Sequence, residues 1–136
     1  MTTGYSGTPL AKKLGIKEGF EVLTINAPDD YAGLVAPLPG GVTLSDVPKA
    51  GVDLVHLFTN SRDELFARLS ECVRLIKQDG SIWVSWYKKA AKLPTEITED
   101  TVREAAFPLG LVDVKVCAVD DKWSGLKLVI RKENRI

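Results

Sequence analysis

The sequence predicts an α/β domain of three layers, with helices covering both faces of a mostly parallel sheet that ends in an antiparallel hairpin. Three observations carry this. Residues 51–130 alternate between apolar runs of strand length and amphipathic stretches of helical period, in the order strand, helix, strand, helix, strand, strand, the pattern of a sheet built from crossover connections. Val52-Asp53-Leu54-Val55-His56-Leu57-Phe58 is nearly continuous in apolar residues, as expected of a central strand buried on both faces. The last two strands, 111–119 and 125–130, are separated only by Asp120-Asp121-Lys122-Trp123-Ser124, a loop short enough to make them antiparallel neighbours.

In chain order, Thr8 is placed to cap a short helix with Pro9 at its first position and Gly15 just past its end, which together frame the element. This helix is expected to lie across the sheet edge. Lys17-Glu18-Gly19 turns into a first strand over 20–25, β-branched and apolar. Asp29 or Asp30 can cap a brief helix through Tyr31, Leu34 and Val35, which Pro37 and Pro39 end. Val42-Thr43-Leu44 is long enough only for a minor strand, and the sequence leaves open whether it joins the sheet.

After the central strand, Ser61-Arg62-Asp63-Glu64 reads as a capping box, with Ser61 accepting from the Glu64 amide and the Glu64 carboxylate reaching back. Leu65, Phe66, Leu69, Cys72, Val73 and Ile76 recur at helical spacing and face the sheet. Gln78-Asp79-Gly80 is expected to end this helix before a strand over 81–86. Thr98 caps a second amphipathic helix that turns Val102, Ala105, Ala106 and Phe107 inward, and Pro108 and Gly110 stop it.

Composition narrows the function classes. The 136 residues are 45% hydrophobic and 26% charged, which suits one soluble domain over 1–136, with 1–7 as a flexible N-terminal tail. Eighteen basic and eighteen acidic residues cancel, so no global field gathers duplex nucleic acid or an anionic membrane. One histidine and two distant cysteines, Cys72 and Cys117, exclude a zinc site; the cysteines read as small buried hydrophobes. The N-terminus lacks a basic and apolar leader, and no apolar run reaches membrane-spanning length. The chain is expected to be cytoplasmic.

A strand ending at His56-Leu57-Phe58, a capped helix, an Asp79-Gly80 turn into a strand, a further helix, a Leu109-Gly110-Leu111 turn and a final hairpin resemble the C-terminal half of class I methyltransferases. That fold adds an antiparallel strand at the same place. The resemblance implies a reduced methyltransferase-like, Rossmann-like domain. It carries over no residue of the cofactor motif. Such enzymes place a glycine-rich turn after the first strand, so that backbone approaches the amino-acid part of S-adenosylmethionine, and an acidic residue at the end of the second strand for the ribose. Here the turn is Asn26-Ala27-Pro28-Asp29, where side chains and a missing N–H oppose close approach, and the second strand is almost absent.

The segments Ser81-Ile82-Trp83-Val84-Ser85-Trp86-Tyr87-Lys88-Lys89, 111–120 and Trp123-Ser124-Gly125-Leu126 are also similar to a family of small bacterial proteins of unknown function. Tyr87 stands where that family is expected to carry proline before lysine. The likeness extends over most of the chain. It implies a single domain of the same reduced fold with no assigned reaction, and it supplies no catalytic residue.

Ligands of open α/β sheets bind beyond the carboxyl ends of the strands where strand order reverses, here between the first strand and the His56 strand. Asn26, Asp29, Asp30, Thr59, Asn60 and Ser61 are thereby expected around one crevice, with Ser61 spent as a cap. His56 is the only side chain that titrates near neutrality unperturbed; inside an apolar strand, a hydrogen-bonded core residue outranks a general base, and Asp53 projects away from it. Trp86-Tyr87-Lys88-Lys89 combines aromatic surface with two cations and is the best local candidate for an anionic or planar ligand, with Arg103, Lys92 and Lys115 as further sources of charge. Trp123 is either an anchor on a lid or a side chain packed over the sheet edge. No phosphate-loop, dinucleotide, nucleophile-elbow or zinc-protease motif occurs.

The expected function is a non-enzymatic binding or interaction module without catalytic residues, metal or cofactor. The alternative is a small enzyme or sensor binding an anionic metabolite or nucleotide at the carboxyl ends of the strands. Either a small anionic ligand or a protein partner fits, and self-association through an exposed edge or the Trp123 hairpin stays open.

Overall fold

The structure, a computed structural model, describes residues 8–136; the expected tail over 1–7 lies outside the described residues. Glu21–Ile25 (β1), Thr43–Ser45 (β2), Val52–Phe58 (β3), Ile76–Tyr87 (β4), Leu111–Ala118 (β5) and Trp123–Ile130 (β6) form one sheet in the order β2-β1-β3-β4-β6-β5. The first four are parallel, and β6 runs antiparallel between β4 and β5. β3 is central as its apolar run requires, with only Asp53 less than fully buried. The Val42 segment does join the sheet: Thr43–Ser45 pairs with β1 at the edge.

Leu10–Leu14 (α1) and Tyr31–Val35 (α2) cover one face, while Arg62–Leu75 (α3) and Glu99–Ala106 (α4) cover the other. α1 begins one residue later than expected, with Pro9 at the cap position, and it lies over the middle of the sheet, not across the edge. Leu14 is fully buried against Leu54, Phe58 and Trp83. The physical reason is reciprocal need. The indole N–H of the fully buried Trp83 requires an acceptor, and the last turn of a helix has unpaired carbonyls. Trp83 Nε1 donates to the Leu14 carbonyl at 2.9 Å.

α3 ends at Leu75, and the chain enters β4 directly at Ile76. Gln78-Asp79-Gly80 is therefore not the helix terminator it was expected to be. The register passes from Val52↔Ile76 to Leu54↔Ser81, so residues 77–80 bulge from the ladder, anchored by Lys77 Nζ on the Asp53 carboxylate at 2.9 Å. The other Asp53 oxygen accepts the Glu21 amide at 2.8 Å. A Cβ on Gly80 would stand 3.0 Å from the Asp53 and Lys77 carbonyl oxygens, so glycine serves this close backbone approach.

On α4, Thr98 and Thr101 cap each other reciprocally, and Val102, Ala105 and Ala106 face the core. Phe107 does not. The helix tightens into a single 3-10 turn over Phe107–Leu109, and the change from 3.6 to 3 residues per turn leaves Phe107 exposed, 5.5 Å below the Arg131 guanidinium. Arg103 ties α4 to β5 through Asp113 at 3.1 Å. Both cysteines are free; Cys72 is buried, and burial pushes its thiol up to about 12. Among the described residues no helix is long and apolar enough to cross a membrane.

Trp83 and Gly125 pack closely across the β4–β6 pair. A Cβ on Gly125 would lie 3.1 Å from Trp83 Cε3, and the fully buried ring has no room to retreat. Gly125→Ala is expected to overpack this contact and lower stability by about 1–3 kcal/mol. The urea midpoint should fall with an unchanged slope, and an unaltered midpoint would refute the contact.

Candidate functional site

At the carboxyl end of β1, Asn26 takes a left-handed backbone conformation with φ of 59°. Asparagine is among the few non-glycine residues that do so readily, and it sharply redirects the chain into Pro28-Asp29-Asp30 ahead of α2. Its side-chain amide donates to Glu64 Oε2 at 3.1 Å. Glu64 Oε1 accepts the Thr59 hydroxyl at 2.6 Å. This bridge spans β1, β3 and the first turn of α3 at the point where strand order reverses. It also halves the expected capping box: Ser61 Oγ accepts the Glu64 amide at 3.2 Å, whereas the Ser61 amide is taken by Thr59 Oγ1, because the Glu64 carboxylate is engaged across the sheet.

The six residues expected around one crevice are consequently divided. Thr59 and Ser61 belong to the bridge. Asn60 is a splint, accepting the Tyr87 amide on Oδ1 at 2.8 Å and the Glu96 amide on its carbonyl at 2.9 Å. Asn26 and Asp29 line an open cleft of about 670 Å³ between the ends of β1 and β2, together with Thr24, Tyr31, Ser45 and Asp46. Asp30 occupies the cap position of α2 without a side-chain cap bond and lies outside the cleft lining. No hydrogen bond or ion pair engages Asp29 or Asp46 among the described residues. Sequence reasoning missed Asp46. The available signal was the minor strand itself, since an acidic residue directly after a second strand falls at the carboxyl edge.

A second cleft, of about 590 Å³, opens beyond the end of β4, lined by Trp86, Tyr87, Lys88, Lys89, Leu93 and Ile97 among others. Trp123 is outside it, packed edge-on against Phe58 at 4.9 Å and tilted against Tyr87 at 4.6 Å. The further cations expected here are elsewhere. Arg103 is committed to Glu99, Asp100 and Asp113, Lys115 donates to the Lys13 carbonyl on the α1 face, and Lys92 is exposed outside the lining.

His56 faces neither cleft. It is fully buried, with Nδ1 2.8 Å from the Tyr31 hydroxyl and Nε2 2.8 Å from Ser85 Oγ, and its ring stacks on Phe58 at 4.2 Å. Among the described residues, no group of three His, Cys, Asp or Glu side chains is placed to hold a metal.

A family model described as Protein of unknown function (DUF3052) matches residues 11–132. The chain belongs to this family. No curated protein matches it in sequence. Among solved structures, it is similar to a SAM dependent methyltransferase from Aquifex aeolicus, with 15% identity and a TM-score of 0.65 over 89% of this chain and 88% of the other. Precorrin-6y C5,15-methyltransferase from Geobacter metallireducens matches with 11% identity and a TM-score of 0.60 over 96% and 93%. Fibrillarin from Aeropyrum pernix, solved with natively bound S-adenosyl-L-methionine, matches with 12% identity and a TM-score of 0.54 over 88% and 73%. At such identities the likeness establishes the fold alone. This DUF3052 chain has a reduced class I methyltransferase-like topology.

Within the DUF3052 fold, the sealed histidine sets a pH dependence. Burial lowers the His56 pKa from 6.5 to about 3 and raises that of Tyr31. Below pH 6.5 the unfolded chain takes up a proton at His56 that the folded chain refuses until about pH 3, so this contribution to stability is complete above pH 6.5 and is lost as pH falls. Urea unfolding between pH 6.5 and 5 is expected to show a loss approaching about 1.4 kcal/mol per pH unit. His56→Gln should abolish that slope; a His56→Gln protein with the parental slope would place the proton uptake elsewhere.

Proposed function

We propose that the chain is a non-catalytic binding module that holds a neutral, hydroxyl-rich ligand of the nucleoside class in the cleft between the ends of β1 and β2. The observation that carries this is the pair of uncommitted carboxylates, Asp29 and Asp46, facing a cleft that contains no lysine or arginine. Carboxylates accept hydrogen bonds from vicinal hydroxyls and are repelled by phosphates. Thr24 and Ser45 add short polar groups beside them.

The cofactor of the similar methyltransferases fits this edge only in part. Asp46 follows β2 where an acidic residue would meet a ribose. The amino-acid half has no seat: Pro28 lacks an N–H, the Asn26 amide is given to Glu64, and the Glu64 carboxylate stands where a ligand carboxylate would approach. The non-catalytic reading is further supported by the chemistry of the walls, since the single histidine is sealed in the core and neither cysteine lines the cleft.

Thermal-shift and calorimetric titrations with adenosine, 2′,3′-dideoxyadenosine, adenosine monophosphate and S-adenosylmethionine test this. Adenosine is expected to stabilise the protein, by about 2.7 kcal/mol at 100 times its dissociation constant. The dideoxy compound and the monophosphate should bind at least tenfold more weakly, on the order of 1.4 kcal/mol, and Asp46→Asn should remove the response. Methyl release from S-adenosylmethionine that depends on Asp46, or no response to any nucleoside, would overturn the proposal.

A further inference from the structure

We infer that the cleft at the end of β4 is a second and independent ligand site, one that takes a small aromatic carboxylate. It does not rest on the β1–β2 proposal. The two clefts share the carboxyl edge of the sheet but are sorted by charge. The first displays Asp29 and Asp46, the second Lys88 and Lys89, and the Asn26–Glu64–Thr59 bridge stands between them. A chain of zero net charge thus presents one recess that disfavours anions and one that draws them.

Three features give the second cleft its chemistry. Its walls are mainly apolar, with Trp86, Tyr87, Leu93 and Ile97 lining a volume of about 590 Å³, within the range of small-molecule sites. Leu93 is 39% exposed, so part of its apolar surface is left for a ligand to cover. Its cations have no ion-pair partner among the described residues, while the carboxylate of the one acid that shares the lining, Glu99, is turned to Arg103 at 3.0 Å.

Hydrogen bonds fix the segments that border the cleft. Asn60 fixes the Tyr87 amide and the Glu96 amide on either side, and the Lys88 amide donates to the Lys122 carbonyl at 2.8 Å. Lys92 adopts a left-handed φ of 55°, an unfavourable choice for lysine, and the turn it closes leads Leu93 and Pro94 back to the cleft lining. Strain of this kind persists where the surrounding structure over-determines it. An aromatic ring against the apolar wall, with its carboxylate on the Lys88 and Lys89 ammonium groups, satisfies both halves of the site.

The test uses the full chain and naphthalene-2-carboxylate as probe, followed by amide and indole chemical shifts. Shifts are expected at Trp86, residues 87–99 and Ser124, with those of the β1–β2 cleft unmoved. The neutral isostere naphthalene-2-carboxamide should bind at least tenfold more weakly. Lys88→Gln with Lys89→Gln should bring the carboxylate down to the amide's affinity, whereas Asp46→Asn should leave it unchanged. Equal binding of carboxylate and amide overturns the charge assignment, tighter binding of octanoate overturns the aromatic class, and shifts centred elsewhere or absent overturn the site.

Discussion

One carboxylate organises the carboxyl edge of the sheet. Both Glu64 oxygens are used, one by the Asn26 amide at the end of β1 and one by the Thr59 hydroxyl at the end of β3, while its own amide is capped by Ser61. Sheet strands held only by their ladders are free to splay at their tips. Here the tips of β1 and β3 are tied to each other and to the start of α3. A buried or half-buried acid is stable only when its lone pairs are met, and that demand draws Asn26 into its left-handed turn. The result is a switch point filled by protein atoms, with recesses displaced to either side.

Beneath that edge the sheet contains a polar column. Ser85, His56 and Tyr31 form a hydrogen-bonded row from β4 through β3 to α2, with His56 and Ser85 fully buried. No buried side-chain polar atom among the described residues lacks a partner. Such a network specifies register more than it adds stability. Sliding β3 by one residue would turn His56 to the opposite face, away from Tyr31 and Ser85, and orphan the imidazole.

Elements with local signals were legible in the sequence. The run Val52–Phe58 identified its own strand, Ser61 marked the start of α3, and Thr98 the start of α4, because caps and periodicity act between near neighbours. What failed depended on distant partners. Nothing near Leu14 announces that its carbonyl serves Trp83, so the sequence alone leads to an edge position for α1. Gly80 looked like a helix stop because its close neighbours, the Asp53 and Lys77 carbonyls, meet it only in the folded sheet. Asp30 and Asp29 were indistinguishable as sequence, yet the turn at Asn26 sends one to the cleft and the other to solvent. Asp46 is hidden because the sequence leaves open whether the minor strand over 42–44 joins the sheet, and only its pairing with β1 puts the residue after it at the carboxyl edge.

Tyr31 belongs to two environments at once. Its ring is part of the wall of the β1–β2 cleft, and its hydroxyl is part of the buried column on His56. A helix as short as Tyr31–Val35 is far below the length that persists alone in water, and an ordinary one would fray independently of the domain. Here fraying exposes an unpaired imidazole in the centre of the sheet, so opening of α2 is coupled to the cooperative unit of the core. The cleft wall is thereby tied to the persistence of the sheet, and the recess keeps a fixed shape instead of opening and closing with a fraying helix.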